Sequence, residues 1–259
     1  MKNDPFQIHK IDHLSPSSIN TFISDTPLWI MRYLFDFKTG GNPAMWRGTS
    51  VDYSVGRHFG FLSKLKRKET IIDEFEKLKV YAEKDYPEYE TDLVKYDREL
   101  NRLAVYDETA INFYNKLGKP DEYQKEILYE IEDCPVPIKG FLDLKYGDVV
   151  RDIKTSGRKP TKVSYAHARQ MSIYGAAENC VPILDYICVS SKGGEVISLP
   201  VNNIKEHLKV VRQVSLAIMN LLSYSNDKYA IAQLYYPDLD SWMWGENEKS
   251  FAKQIWEIK

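Results

Sequence analysis

The feature that most constrains this chain is a change of hydrophobic period at Gly118-Lys119-Pro120. Upstream, apolar residues recur three and four apart, as on one face of a helix; downstream they alternate, as on a strand. Glycine followed by proline is also where a helix stops. Beyond that point residues 123–131, 136–146 and 148–154 read as three strands, with Gly147-Asp148 as the tight turn between the last two. Residues 165–178 return to helical spacing. Residues 184–190 and 196–199 read as strands around Lys192-Gly193-Gly194, and 201–224 as a long amphipathic helix. The order helices, three strands, helix, two strands, helix predicts an α/β fold with a central mixed sheet flanked by helices.

The upstream part opens on Ser15-Pro16-Ser17-Ser18-Ile19. Serine suits a helix cap and proline the first helical position. Ile19, Phe22 and Ile23 follow on one face. Thr26-Pro27 marks a break, after which Trp29, Ile30, Tyr33 and Leu34 resume helical spacing. Gly40 to Pro43 reads as a loop, and a second helix is expected over about 44–64. Residues 67–117 read as a helical hairpin broken at Pro87. One stripe there is Ile71, Phe75, Leu78 and Tyr81, the other Leu100, Leu103, Ala104, Tyr106 and Ala110. No flexible linker follows, so a single domain over 1–259 is expected: 14–120 mainly helical, 121–200 the sheet core, 201–259 C-terminal helices.

Composition removes several classes. Lys+Arg total 35 against 37 Asp+Glu, which excludes a wholly basic nucleic-acid binder but not a local basic patch. No apolar run is long enough to span a membrane, and Met1 to His13 has no apolar signal core. The three cysteines, Cys134, Cys180 and Cys188, show no CxxC spacing and read as small buried hydrophobes. A cytoplasmic setting is expected.

The chemistry concentrates in two segments, Ile138-Lys139-Gly140-Phe141-Leu142-Asp143-Leu144 and Val149-Val150-Arg151-Asp152-Ile153-Lys154-Thr155-Ser156. As antiparallel strands joined at Gly147-Asp148, they set Asp143 near Asp152, and Lys154 leaves the same face as Asp152. Two carboxylates and an ammonium on one patch suit a hard divalent cation, with positions left open for water and phosphate. A D-x-K triplet alone is common and usually marks a solvated strand. Here the flanking Val149, Val150 and Ile153 predict a central strand, and Gln170 and Tyr174 share a face of the next helix. Between Arg151 and Arg169 six basic residues face a single acid, Asp152, a local excess that favours a phosphate backbone. The aromatic C-terminus, with Tyr235, Tyr236, Trp242 and Trp244, reads as packing surface before base-stacking surface.

Taken in order, Gly140-x-x-Asp143, Asp152-x-Lys154 and Gln170-x-x-x-Tyr174 resemble the PD-(D/E)XK nuclease superfamily, in its RecB-like and phage lambda-type exonuclease branch. The opening Leu14 to Phe22 segment with Pro27, Trp29 and Tyr33-Leu34 resembles the same branch. So does Arg47-Gly48-Thr49-Ser50-Val51-Asp52, where the branch reads R-G-T-x-x-H. The resemblance runs from about residue 14 to 174. It implies a restriction-endonuclease-like core and hydrolysis of DNA phosphodiester bonds with Mg²⁺ or Mn²⁺, held by Asp143, Asp152 and the Ile153 carbonyl. Lys154 becomes the catalytic lysine, supported by Gln170 and Tyr174. DNA contacts are expected from Ser15, Ser17, Arg47, Thr155, Ser156, Arg158, Lys159 and Arg169. Asp52 stands at the family histidine position; it is either a further ligand or an ordinary helix residue. His58 and Glu126 are weaker candidates. Thr26 replaces the early cysteine of iron–sulfur relatives and no cysteine follows Cys188, so no such cluster is expected. The implied activity is exonucleolytic, in phage-type recombination or DNA degradation; the alternatives are a RecB-like repair or defence nuclease and a non-catalytic DNA-binding relative. A homo-oligomeric ring, a single-strand annealing partner and a host-cell cytoplasmic setting are implied by the resemblance alone.

Overall fold

Five strands form one sheet in the order β1-β2-β3-β4-β5: β1 Glu122–Tyr129, β2 Ile138–Tyr146, β3 Val149–Ser156, β4 Val181–Ser190 and β5 Gly193–Pro200. The computed structural model describes residues 4–62, 70–86, 91–241 and 243–258. Strands β3 and β4 run parallel and every other neighbouring pair antiparallel, so the sheet is mixed. The parallel step requires a crossover, which is the helix Tyr165–Glu178. In chain order the helices are α1 Pro5–Ile8, α2 Pro16–Ser24, α3 Thr26–Trp29, α4 Pro43–His58, α5 Ile71–Asp85, α6 Leu93–Leu117, α7 Tyr165–Glu178, α8 Ile204–Leu222, α9 Lys228–Ala232 and α10 Glu246–Ile255. A five-residue π turn, Ile30–Leu34, extends α3. Among the described residues no helix is long and apolar enough to cross a membrane.

Local chemistry explains the boundaries. Ser15 accepts from the Ser18 amide while Ser18 reaches back to the Ser15 amide, a reciprocal cap on α2. The break at Thr26-Pro27 is Asp25, which ends α2 and caps α3 by accepting from the Leu28 amide at 2.8 Å. Helix α4 ends at His58, short of the expected residue 64; Lys64, residues 67–69, Pro87 and Trp242 lie outside the described residues. Two expected core positions, Tyr81 and Ala104, are exposed, and Ala82 is the buried one instead. The last hairpin turns one step earlier than its glycines suggest: Ser190 pairs with Gly193, and Gly194 lies within β5. A side chain at Gly194 would collide with Thr109 of α6, so glycine here allows close helix–sheet approach.

The sheet separates two apolar cores. On one face α2, α7, α8 and the C-terminal helices pack around Trp29, Ile138, Met171, Leu184 and Ile218. On the other, α4, α5 and α6 pack around Val51, Phe75, Tyr106, Tyr114 and Ile187. Strict alternation would keep Leu142 and Leu144 in one core, yet Leu142 lies in the first and Leu144 in the second. Strand β1 does the same, with Tyr123 against the second core and Ile127 in the first. Between them stands Gln124, a non-glycine residue at φ +49°. Both strands therefore turn over at the same level of the sheet, where Gln124 lies across from Asp143.

Gly140 is where α7 presses closest on β2: a Cβ there would stand 2.7 Å from the Tyr174 ring. Gly140→Ala should cost about 1–3 kcal/mol by overpacking. Urea denaturation of the two proteins measures this, and an unchanged midpoint would show that Tyr174 yields freely.

Candidate active site

The ladder between β2 and β3 is short. It pairs Tyr146 with Val149, Lys145 with Val150 and Leu144 with Arg151, and then the strands part. The next pair in that register is Asp143 and Asp152. At the parting point the Asp143 side chain replaces the missing backbone partner: its Oδ2 accepts from the Ile153 amide at 2.7 Å. Further along β2 the free edge is taken up by the N-terminal segment, where Leu14 bridges to Ile138 and accepts from the Lys139 amide. The opening is thus bounded by β3 on one side and by the start of α2 at its far end.

Asp152 lies fully inside this opening. Its Oδ1 accepts from Gln170 Nε2 at 3.0 Å, and its Oδ2 forms an ion pair with Lys154 Nζ at 2.7 Å. Gln170 also donates to the Tyr174 hydroxyl at 3.2 Å, and Tyr174 is buried against Gly140. Tyr174 therefore supports Gln170 from behind, and burial pushes its phenol up to about 12. Asp52 comes from α4 on the opposite core. Its Oδ2 accepts from Tyr123 Oη at 3.0 Å and Gln124 Nε2 at 2.8 Å, while its Oδ1 is buried with no hydrogen-bond partner. Gln124 Nε2 also reaches Asp143 Oδ1 at 3.1 Å. Gln124 is absent from the sequence expectations; no local signal marks it, because its position across from Asp143 emerges only from the β1–β2 register.

Electrostatically the cluster is overcharged with carboxylates. Burial raises Asp143 well above the ordinary carboxylate range, and the charges of Asp152 and Asp52 raise it further. Burial pushes Asp52 up to about 7, against the Tyr123 hydrogen bond that lowers it, and Asp152 adds to the rise. For Lys154 burial works against the charge, but Asp152 and Asp143 outweigh it and hold the ammonium above its usual range. At neutral pH Lys154 is therefore a cation and a donor. His167, three residues before Gln170 on α7, bonds through Nδ1 to Tyr186 Oη at 2.9 Å; burial and then Lys154 keep its pKa low.

The donors that converge are oxygens, which suits a hard cation. Among the described residues no three side chains of His, Cys, Asp and Glu come close enough to hold an ion alone. A Mg²⁺-like ion needs only one or two carboxylates when water and phosphate complete its shell, and Asp143 and Asp152 can provide these. The unpartnered Asp52 Oδ1 fits the same demand for positive charge.

The remaining expected residues divide. Arg47 is buried, paired with Glu99, donating from Nε to Thr155 Oγ1 at 3.1 Å and lying 4.8 Å over the Tyr106 ring. A guanidinium so enclosed fastens the end of β3 to α4 and α6, and it is not placed to meet a phosphate. Thr155 is engaged by that clamp, and the Ser156 hydroxyl closes its own loop onto Arg158. The Ser15 hydroxyl caps α2, leaving Ser17 exposed beside it. Of the six basic residues between 151 and 169, Arg151 is committed to the buried Asp185, Lys154 to Asp152 and exposed Lys159 to Glu195. Arg158, Lys162 and Arg169 form no ion pair among the described residues; Arg169 is oriented by Asn20 at 2.8 Å. Glu126 is exposed and paired with Lys139, and exposed His58 bonds to Asn115, so both stand apart from the cluster. Tyr236 is exposed, whereas Trp244 is buried and bonds to Asp25. A cavity of about 810 Å³ lies elsewhere, among Arg32, Asn42, Asp92, Lys95 and Glu248, and shares no residue with the carboxylate cluster.

No family model matches the chain, and no curated protein matches it. Among solved structures, it is similar to a putative exonuclease from Eubacterium rectale, with a TM-score of 0.55 and 13% identity over 88% of each chain. SSO0001 is 19% identical over 73% of this chain and 95% of that one, but at a TM-score of 0.34 it carries no argument. The first likeness concerns the fold alone, a mixed five-strand sheet flanked by helices, and is consistent with the restriction-endonuclease-like α/β core expected from the sequence.

The raised Asp52 pKa has a sign that can be checked. In metal-free protein its ionised form is disfavoured by folding, so the penalty is absent below about pH 4, grows up to about pH 7 and is constant above. Asp52→Asn keeps an acceptor for Tyr123 and Gln124 but removes the charge. In EDTA it should be more stable than wild type by about 1–3 kcal/mol above pH 7. Urea denaturation across pH 4–8 should show this advantage fade as the pH falls to about 4. A constant difference would assign the effect to packing.

Proposed function

We propose that this protein is a divalent-metal-dependent deoxyribonuclease of the PD-(D/E)XK type, hydrolysing phosphodiester bonds as an exonuclease in phage-type recombination or DNA degradation. The observation that carries the reading is the meeting of Asp143, Asp152 and Lys154 where β2 and β3 part, beside an opening bounded by α2 and α7. A fold likeness to an exonuclease-named structure and the ordered motifs support it.

Asp143, Asp152 and the Ile153 carbonyl would hold Mg²⁺ or Mn²⁺, whose chemistry when bound is to acidify a water and polarise the phosphate. The protein's own groups do the rest. Asp143 is fixed by the Ile153 amide and Asp152 by Gln170, so the two carboxylates are oriented before substrate arrives. The Lys154 ammonium faces the same space, positioned to orient the attacking water and to neutralise charge developing on the phosphoryl oxygens. His167 and Tyr186 wall that side of the opening. Arg158, Lys162 and Arg169, which form no ion pair among the described residues, provide the cationic approach for a phosphate backbone.

With linear duplex DNA and Mg²⁺ or Mn²⁺, the wild type should release nucleotides or oligonucleotides, and Asp152→Asn should abolish this. Lys154→Ala should lose roughly three or more orders of magnitude in rate yet still bind Mn²⁺ in calorimetry, because an ammonium is not a ligand. Absence of cleavage on end-labelled single- and double-stranded DNA with either metal would favour the non-catalytic DNA-binding reading. Loss of Mn²⁺ binding in Lys154→Ala would make that lysine structural.

A further inference from the structure

Gln124 is the unusual residue of the cluster. It carries no charge, belongs to no motif, and is a non-glycine residue at φ +49° inside a strand. A left-handed residue there is disfavoured and persists only where its surroundings hold it in place. What the conformation achieves is visible in its side chain: one Nε2 group donates to Asp52 Oδ2 at 2.8 Å and to Asp143 Oδ1 at 3.1 Å. Both acceptors are carboxylate oxygens, so the amide is oriented with nitrogen inward. These two carboxylates come from different elements, Asp52 from α4 and Asp143 from β2, and they repel. Gln124 thus places a neutral donor between two acids. Asp143 keeps its other oxygen on the Ile153 amide, and Asp52 keeps Oδ1 free of hydrogen bonds.

Resting on the metal-nuclease reading above, we propose that Gln124 is a positioning residue that partitions the carboxylate cluster. Its amide closes the gap between Asp52 and Asp143 and confines the site to one divalent ion, on the Asp143–Asp152 side. The strained backbone is the means: it turns β1 over at this level and aims the amide into the gap. A carboxylate at the same position would convert the gap into a second cation site.

Gln124→Gly and Gln124→Glu separate the backbone from the amide. Glycine accepts the left-handed conformation but has no amide. Gln124→Gly should therefore stay close to the wild-type melting temperature in EDTA, the relieved backbone offsetting the lost hydrogen bonds, while its Mn²⁺ affinity by calorimetry falls about tenfold or more, because the amide no longer fixes Asp143 Oδ1. Wild type should bind one Mn²⁺ per chain, and Gln124→Glu two, the second appearing also as spin-coupled Mn²⁺ in electron paramagnetic resonance. Gln124→Gly should lose DNA cleavage chiefly in kcat and recover part of it at high Mn²⁺. The proposal is overturned if Gln124→Gly binds Mn²⁺ as wild type does, or if wild type already binds two ions. Failure of wild type to bind any Mn²⁺, with or without DNA, would instead sink the metal-nuclease reading on which it rests.

Discussion

The site depends on one hydrogen bond, from the Ile153 amide to Asp143 Oδ2. Two antiparallel strands that part leave backbone donors without partners, and a buried orphan amide costs about as much as the hydrogen bond it lacks. Here a carboxylate from the neighbouring strand takes that donor. This lets β3 leave β2 and run on beside β4 through Ser156. The same bond fixes an acid at the mouth of the opening it creates. Separation of the strands and placement of the carboxylate are therefore one event, and Asp152 and Lys154 follow because they lie on the strand that departs.

A strand that leaves its neighbour must be held from elsewhere, and two buried polar networks do so from the second core. Arg151 places its guanidinium on Asp185, which also accepts from Ser198 Oγ at 2.6 Å and Tyr114 Oη at 3.1 Å, so a fully buried carboxylate is saturated with donors. Near the end of the strand Arg47, Glu99 and Tyr106 grip Thr155 and Ser156. Buried charges of this kind contribute little net stability after desolvation, yet removing one partner leaves the other stranded at a cost of about 3–5 kcal/mol. They fix the strand's position, so that every second residue, Asp152 and Lys154, faces the opening.

This division explains what could be read from the sequence. The succession of helices and strands along the chain, the helix over residues 165–178 and the Gly147-Asp148 turn follow from period and turn chemistry, which are local. The proximity of Asp143, Asp152 and Lys154 follows from one hairpin register. Gln124 does not, because its importance lies in the backbone turning over, and nothing in an alternating strand announces a left-handed glutamine. Arg47 shows a related limit: a basic residue near a candidate site reads as a phosphate ligand in the sequence, while in the fold Glu99, 52 residues away, pairs with it. The apparent run of six basic residues likewise mixes two faces of one strand, and alternation alone sends Arg151 to the side away from Lys154.

What remains of the basic run is directional. Arg158 and Lys162 lie in the loop leading into α7, and Arg169 on its second turn, all near the N-terminal end of that helix, whose own dipole is positive there. At the other end Glu178 engages Lys125 and Lys145, so the cations there are already neutralised. Along a single helix the unpaired positive charge thus falls at one end, with Gln170 and the carboxylates just beyond it. On the nuclease reading, the α7 N-terminal end, with Arg158, Lys162 and Arg169, is the proposed approach for a polyanion. The acidic cluster is then approached across cations, which lowers the repulsion that three clustered carboxylates would otherwise present to a phosphate backbone.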